Sequence, residues 1–330
     1  MRLMPEDLAL CSPAVVTRIL QNGSVEGGVM TIEKICVLGA GQMGAGIAQA
    51  SAEAGFSVSL MDIEDRFIKS GLKKIARNFD RAISKTMMNR KKAESCLARI
   101  RPGTDLSEAV MGADVVIEAV PENIDMKKRL YRELDALCSK DTILASNTSS
   151  LSITEIASAT NRPQKVIGMH FFYPVPLMQL VEVVKGRKTS LETHHAIAAL
   201  AKKMTKTPIT VEEAPGFVFN RILIPMINEA IFTLHEGLTS AKNIDQAMML
   251  GASHPIGPLA LADVIGLDTL LMVQESLYVQ FSDTKYRPCP LLKKLVHAGH
   301  LGRKTGIGFY TYKTESASEN QDTSDEIATT

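Results

Sequence analysis

Three glycines, Gly39, Gly41 and Gly44, set in the stretch GAGQMGAGIAQASAEAG, constrain this chain more than any other feature. They follow a short run of β-formers, Lys34 to Leu38, and open a small-residue helix pattern, after which comes a second β-rich run, FSVSLMD. Strand, glycine turn, helix and strand make a βαβ unit, the opening of a dinucleotide-binding fold. Gly39 permits the tight turn, Gly41 lets a pyrophosphate approach the backbone, and Gly44 lets helix and strand pack closely. Gln42 and Met43, between the glycines, belong to the same cofactor-binding turn. Asp62 ends the second strand, where a carboxylate can accept hydrogen bonds from both ribose hydroxyls of an adenosine and would repel a 2′-phosphate. The turn therefore predicts NAD(H) rather than NADP(H); the competing reading is a tight glycine turn with no ligand.

Further strand candidates are ADVVIEAV (113–120), TILAS (142–146) and KVIGMHFF (165–172), separated by helix-like segments at 124–138 and 151–159. The alternation predicts a Rossmann-like, doubly wound, mostly parallel sheet with helices on both faces. Between the second strand and residue 101 the segment is longer than an ordinary crossover, with Ile68, Leu72, Ile75 and Phe79 at helical spacing, and reads as an inserted helical hairpin. Lys69, Lys73, Arg77, Arg81 and Lys85 run beside that stripe at successive fourth positions. A solvated helix face and a handle for a polyanionic substrate both fit this pattern, Arg77, Arg81 and Lys85 being the candidates for the second. From Pro215 the character changes to long apolar helices, including LALADVIGLDTLLMVQESL read as one. The division expected is 30–212 for the cofactor-binding domain, with its helical arm near 66–101, and 213–313 for an all-helical C-terminal domain. The apolar load of that second domain suggests packing against another subunit, making it a dimerisation domain.

Composition narrows the function classes. With 37 basic and 36 acidic residues in a chain of 330, no overall charge draws it to nucleic acid or to an anionic membrane. No apolar run approaches the ~20 residues that span a bilayer, so the chain reads as soluble. Five scattered cysteines, with no CxxC pair and no metal-ligand spacing, indicate reduced thiols in a cytosol-like compartment and no metal site. Residues 1–29 read as an extension or a mis-assigned start, with Met30 the alternative initiator; cytoplasmic location is favoured over the mitochondrial matrix. Residues 314–330, polar and acidic, read as a disordered tail.

The stretch GMHFFYPVPLMQLVEVVKG carries the chemistry. Pro174 and Pro176 make YPVP a connection, so His170 lies near the end of one strand and Glu182 inside the next. Glu182 shares a strand face with Leu180 and Val184, and both faces are apolar, so its carboxylate is costly unless paired. The nearest candidate partner is His170, and a buried imidazole oriented by a carboxylate is a good general base near neutral pH. A core histidine beside an edge-strand glutamate is the alternative. SNTSS (146–150) follows a parallel strand, where open α/β sheets bind ligands, and its hydroxyls and amide can hold a reacting oxygen or cap a helix starting at Leu151. Asn220 is a polar residue in an otherwise apolar helix, facing either a ligand or a neighbouring helix.

From Lys34 to Tyr312 the chain resembles the NAD-dependent L-3-hydroxyacyl-CoA dehydrogenase family, of the 3-hydroxybutyryl-CoA dehydrogenase type. The motifs that carry the resemblance are GAGQMGAGIAQ, VIEAVPEN, ASNTSSL, MHFFYPVPLMQLVEVV, PGFVFNRIL, HPIGPLALADVIGLDT and GRKTGIGFY. It implies reversible oxidation of (S)-3-hydroxyacyl-CoA to 3-oxoacyl-CoA with His170 as base, Glu182 as its partner, and Ser149 and Asn220 near the substrate oxygens. It also implies NAD contacts at Glu122, Lys127, Asn147 and Lys304, a CoA-holding role for the helical arm, and homodimers formed through the helical domain. One residue departs from the pattern: where the family has HFFNP, this chain has Tyr173, replacing an amide beside the histidine by a phenol. That departure leaves open a catalytically weak NAD(H)-binding protein with a structural or sensing role. A dehydrogenase of a free hydroxy acid or sugar acid is the runner-up among enzymes.

Overall fold

The computed structural model describes residues 31–312, so the readings made of residues 1–29, of Met30 and of the tail 314–330 lie outside the described residues. Eight strands form one sheet in the order β3-β2-β1-β4-β5-β6-β7-β8, and β6 and β7 make its antiparallel pair. The strands β1 (Lys34–Leu38), β4 (Val115–Glu118), β5 (Ile143–Ser146) and β6 (Val166–Phe171) are almost wholly buried. Continuous apolar runs of this kind mark central strands covered on both faces. Helices α1 (Gln42–Glu53), α2 (Asp65–Ser84), α3 (Arg90–Ala98), α4 (Leu106–Val110), α5 (Ile124–Leu137), α6 (Ile153–Ala157) and α7 (Leu191–Lys203) supply that cover. The inserted segment is a pair of helices, α2 and α3, with Ile68, Gly71, Ile75 and Phe79 as the buried face of α2. Gly71 sits against Ala40, so α2 packs directly beside the glycine turn.

Side-chain caps fix where several helices begin. Asn89, Asp105, Asn123, Ser152 and Ser190 each accept an N–H from the first turn of α3, α4, α5, α6 and α7 in that order. The true cap of α6 is thus Ser152, and the SNTSS cluster does not serve that role.

Two strands were not foreseen. β3 (Ile100–Gly103) and β8 (Thr207–Glu212) stand at the two edges of the sheet, beside β2 (Ser57–Met61) and β7 (Leu180–Lys185) respectively. Each contains a proline, Pro102 and Pro208, which an edge strand tolerates because one side of its ladder is unpaired.

Beyond β8 the chain is helical: α8 (Phe219–His235), α9 (Ala241–Gly251), α10 (Pro258–Ile265), α11 (Leu267–Phe281) and α12 (Pro290–His297). The stretch read as one helix divides into α10 and α11 at Gly266, whose φ of +97° breaks the helical path. Ile227, Ile231, Leu259, Leu267, Leu270 and Leu292 form a core separate from that of the sheet.

Candidate active site

The sheet reverses its winding between β1 and β4, and the crevice beyond the carboxyl ends of these strands is where an open α/β sheet binds ligands. Gly39 takes φ +95°, and a Cβ there would lie 2.7 Å from the Ala119 carbonyl oxygen, so the turn is held against the end of β4. A Cβ on Gly44 would fall 1.7 Å from the Gly39 oxygen, whereas one on Gly41 would meet nothing within 4 Å. Gly41 is also the N-cap of α1, which has no side-chain cap and no acidic residue in its first turn. An open, uncapped helix N-terminus of this kind fits the pyrophosphate of a dinucleotide. At the end of β2, Asp62 accepts the Ala40 N–H at 2.6 Å and the Ile63 N–H at 2.7 Å, which holds its carboxylate beside the glycine turn where a ribose would lie.

His170 and Glu182 are direct cross-strand partners in the β6–β7 pair. Side chains opposite each other in an antiparallel pair share a face, and His170 Nδ1 stands 2.7 Å from Glu182 Oε2. The imidazole is only 6% exposed and the carboxylate fully buried. A carboxylate only accepts, so Nδ1 carries the hydrogen and Nε2 is left as the basic nitrogen. The rings of Phe172 and Phe217 pack against the imidazole, their centroids 4.5 and 5.7 Å away.

Glu182 has a second set of partners. Its Oε1 accepts the N–H groups of Val218 and Phe219, both at 3.0 Å, at the start of α8. The positive end of a 17-residue helix therefore compensates the buried charge. One carboxylate thus orients the histidine and ties the sheet to the helical part of the chain.

The cleft beside His170 measures about 350 Å³ and is lined by Met43, Glu122, Asn147, Ser149, Tyr173 and Asn220, together with Phe171 and Phe172. Seven residues singled out in sequence, spread from position 43 to 220, converge there. Asn147 turns its amide oxygen to the Phe171 N–H at 2.9 Å. Glu122 shapes the loop after β5: its Oε1 accepts from Ser149 N–H at 3.0 Å, from the N–H and hydroxyl of Ser150, and from the Thr148 hydroxyl. These bonds fix the backbone of Ser149 while its hydroxyl makes no hydrogen bond to the described residues.

Arg77, Arg81 and Lys85 line a second, larger groove of about 790 Å³ between α1, α2 and the loop 173–177, and Gln42 lies on its wall. Lys74 and Lys92 join them there, whereas Lys69 and Lys73 of the expected stripe do not line it. Tyr173, 59% exposed, borders both groove and cleft.

Matches to known proteins agree with this geometry. The NAD-binding domain model of 3-hydroxyacyl-CoA dehydrogenases matches residues 34–214, and the model of their C-terminal domain matches residues 216–312. A probable 3-hydroxybutyryl-CoA dehydrogenase of Bacillus subtilis is 52% identical over 288 residues, 87% of this chain and all of that protein. The chain belongs to the 3-hydroxyacyl-CoA dehydrogenase family. Among solved structures, (S)-3-hydroxybutyryl-CoA dehydrogenase from Ralstonia eutropha aligns with a TM-score of 0.83 at 50% identity, covering 86% of this chain and all of that one. The mitochondrial hydroxyacyl-coenzyme A dehydrogenase of Homo sapiens is 40% identical over 288 residues, 86% of this chain and 92% of its own.

As a member of this family the protein is an NAD-dependent 3-hydroxyacyl-CoA dehydrogenase. The two lysines expected at the cofactor both form ion pairs with carboxylates. Lys127, 1% exposed, gives its ammonium to both oxygens of Glu118 at 2.8 Å, with Glu122 at 3.4 Å. Lys304 does not reach the cleft: its ammonium is held 2.5 Å from the Asp268 carboxylate, next to Gly266. The Glu118 carboxylate also takes the Ser146 hydroxyl and the Val120 N–H, so a buried ion pair underlies the ends of β4 and β5. Sequence reasoning missed this pair, although Glu118 in VVIE is as conspicuous as Glu182 in LVEVV.

Proposed function

We propose that this enzyme interconverts (S)-3-hydroxybutyryl-CoA, or an (S)-3-hydroxyacyl-CoA of similar short chain, with its 3-oxoacyl-CoA. The observation that carries the reading is the His170–Glu182 pair at the edge of a cleft that also gathers Ser149 and Asn220. His170 Nε2 takes the proton of the substrate 3-hydroxyl, or returns it to the ketone in the reverse direction. Glu182 keeps the hydrogen on Nδ1 and stabilises the imidazolium that forms. Ser149 and Asn220 hold the oxygen that alternates between hydroxyl and carbonyl, and their fixed dipoles favour the charge that develops on it. Bound NAD supplies the hydride acceptor and donor. Gly39, Gly41, Gly44 and the first turn of α1 hold its phosphates and Asp62 its adenosine ribose, with Met43, Glu122 and Asn147 on the nicotinamide side.

Arg77, Arg81 and Lys85 hold the CoA phosphates in the basic groove, and the thioester arm passes Tyr173 on its way into the cleft. A phenol there, instead of an amide, restricts the arm's path without removing the base. The names of relatives at about 50% identity support the short acyl chain.

The same reading extends to the assembly. Residues 30–212 and 213–313 act as cofactor and dimerisation domains, and two copies pair through the helical part. The enzyme acts in the cytoplasm, and among the described residues no helix is long and apolar enough to cross a membrane. Assays with NADH and 3-oxoacyl-CoA substrates from C4 to C16, with free acetoacetate alongside, test the reading. The account expects the highest kcat/KM at C4 and negligible turnover of free acetoacetate; a preference for the free acid overturns the CoA assignment.

A further inference from the structure

The loop between β6 and β7 is the wall that divides the cleft from the groove. Tyr173 borders both spaces, while Pro174, Val175, Pro176 and Leu177 face the groove. Within the loop, Pro174 and Pro176 fix φ at two positions, but few hydrogen bonds tie it to its surroundings. Its two prolines donate nothing, and its own backbone bonds are those of the Leu177 and Met178 N–H groups to the Pro174 oxygen, at 2.9 and 3.0 Å.

The hold comes from beneath. Lys206, just before β8, is 7% exposed, and its ammonium donates to the carbonyl oxygens of Val175 at 2.5 Å and Met178 at 2.9 Å. Burial pushes the Lys206 pKa below that of an ordinary lysine, with Glu53 opposing the shift. Val175, 1% exposed, fits against Gly46 of α1, where a Cβ would come within 2.9 Å of the valine Cβ. The loop is therefore pinned on one side by the dinucleotide helix and on the other by a buried cation. A desolvated ammonium is costly, but an apolar side chain of similar length would leave the Val175 and Met178 carbonyls without this donor. What the ammonium adds is a fixed position for two carbonyls seated behind the residues that face the substrate path.

We propose that Lys206 is a positioning residue for the acyl-CoA substrate: by fixing the Val175 and Met178 carbonyls it sets where the wall between cleft and groove stands. The inference rests on the reading of the groove as the path of the CoA arm. It makes a specific demand on kinetics, because on that reading the face that Pro174 to Leu177 turn to the groove meets the long arm of the thioester.

The test compares the wild type with Lys206→Met and Lys206→Arg, using acetoacetyl-CoA and the truncated thioester acetoacetyl-N-acetylcysteamine, with NADH as reductant. For Lys206→Met the KM for acetoacetyl-CoA should rise about tenfold or more, since displacements near 1 Å at a positioned substrate carry losses of that order. The KM for NADH should stay within about twofold, and kcat/KM for the truncated thioester should fall less than about threefold. Lys206→Arg, which retains charge and donors, should recover most of the loss. An unchanged KM for acetoacetyl-CoA, or equal losses on both thioesters and on NADH, overturns the proposal. Should Lys206→Met fail to fold, as judged by circular dichroism and the loss of a cooperative thermal transition, Lys206→Gln carries the same comparison with the same two outcomes. A wild type that does not turn over acetoacetyl-CoA removes the functional reading itself; an active wild type with an unaffected variant removes only the role of Lys206.

Discussion

Glu182 shows how much one buried carboxylate can determine. It accepts from His170 on one oxygen and from two helix N–H groups on the other. In Glu182→Gln the amide oxygen can still accept from α8, but the amide N–H groups then face Nδ1 and move the ring hydrogen to Nε2. We expect kcat to fall about 10²-fold with little change in the KM for NADH, measured by steady-state kinetics. On the proposed reading Asp62 sets the cofactor preference, so Asp62→Ala should narrow the ratio of NADH to NADPH kcat/KM; an unchanged ratio contradicts its role. Burial pushes the Cys36 thiol up to about 12 and the Cys138 thiol up to about 11, so neither is a thiolate near neutral pH. Native protein should leave both unalkylated by iodoacetamide at about pH 8, and unfolded protein should alkylate them, as peptide mass mapping would reveal. His170 and Glu182 were legible in sequence because charge in an apolar strand demands a partner, and the same logic applied to Glu118 would have predicted its ion pair with Lys127. Lys206 was not legible, since its partners are backbone carbonyls about thirty positions away in the chain.

At the scale of elements, the helical arm and the glycine turn act together. α2 lies on Ala40 through Gly71 and turns Arg77 and Arg81 to the groove, so the basic stripe is a groove wall along only part of its length. Removing two of its charges in Arg77→Ala/Arg81→Ala should raise the KM for acetoacetyl-CoA about tenfold and reduce the dependence of that KM on salt. Turnover of the truncated thioester should change little. The central strands were readable from continuous apolar runs, whereas β3 and β8 were not: each is an edge strand with a proline, and neither carries a strong apolar signal. The division of α10 from α11 hid for a related reason. The apolar pattern continues across Gly266, and only its positive φ marks the break.

For the whole molecule, the sheet and the helical part carry separate cores, and α8 is tied to β7 through Glu182. The outer faces of the helices expose large apolar side chains: Met272 and Val279, one heptad apart on α11, are 55% and 72% exposed. Patches of this kind mark interaction surfaces, and sedimentation should give a dimer that Met272→Glu/Val279→Glu converts to monomer. The base assigned to His170 stands at the centre of the account, and the most direct test is reduction of acetoacetyl-CoA by NADH in wild type and His170→Ala. The account predicts turnover by the wild type and a loss of about 10²–10⁴-fold in kcat for the variant, with NADH binding intact. A wild-type rate that survives the substitution would contradict it.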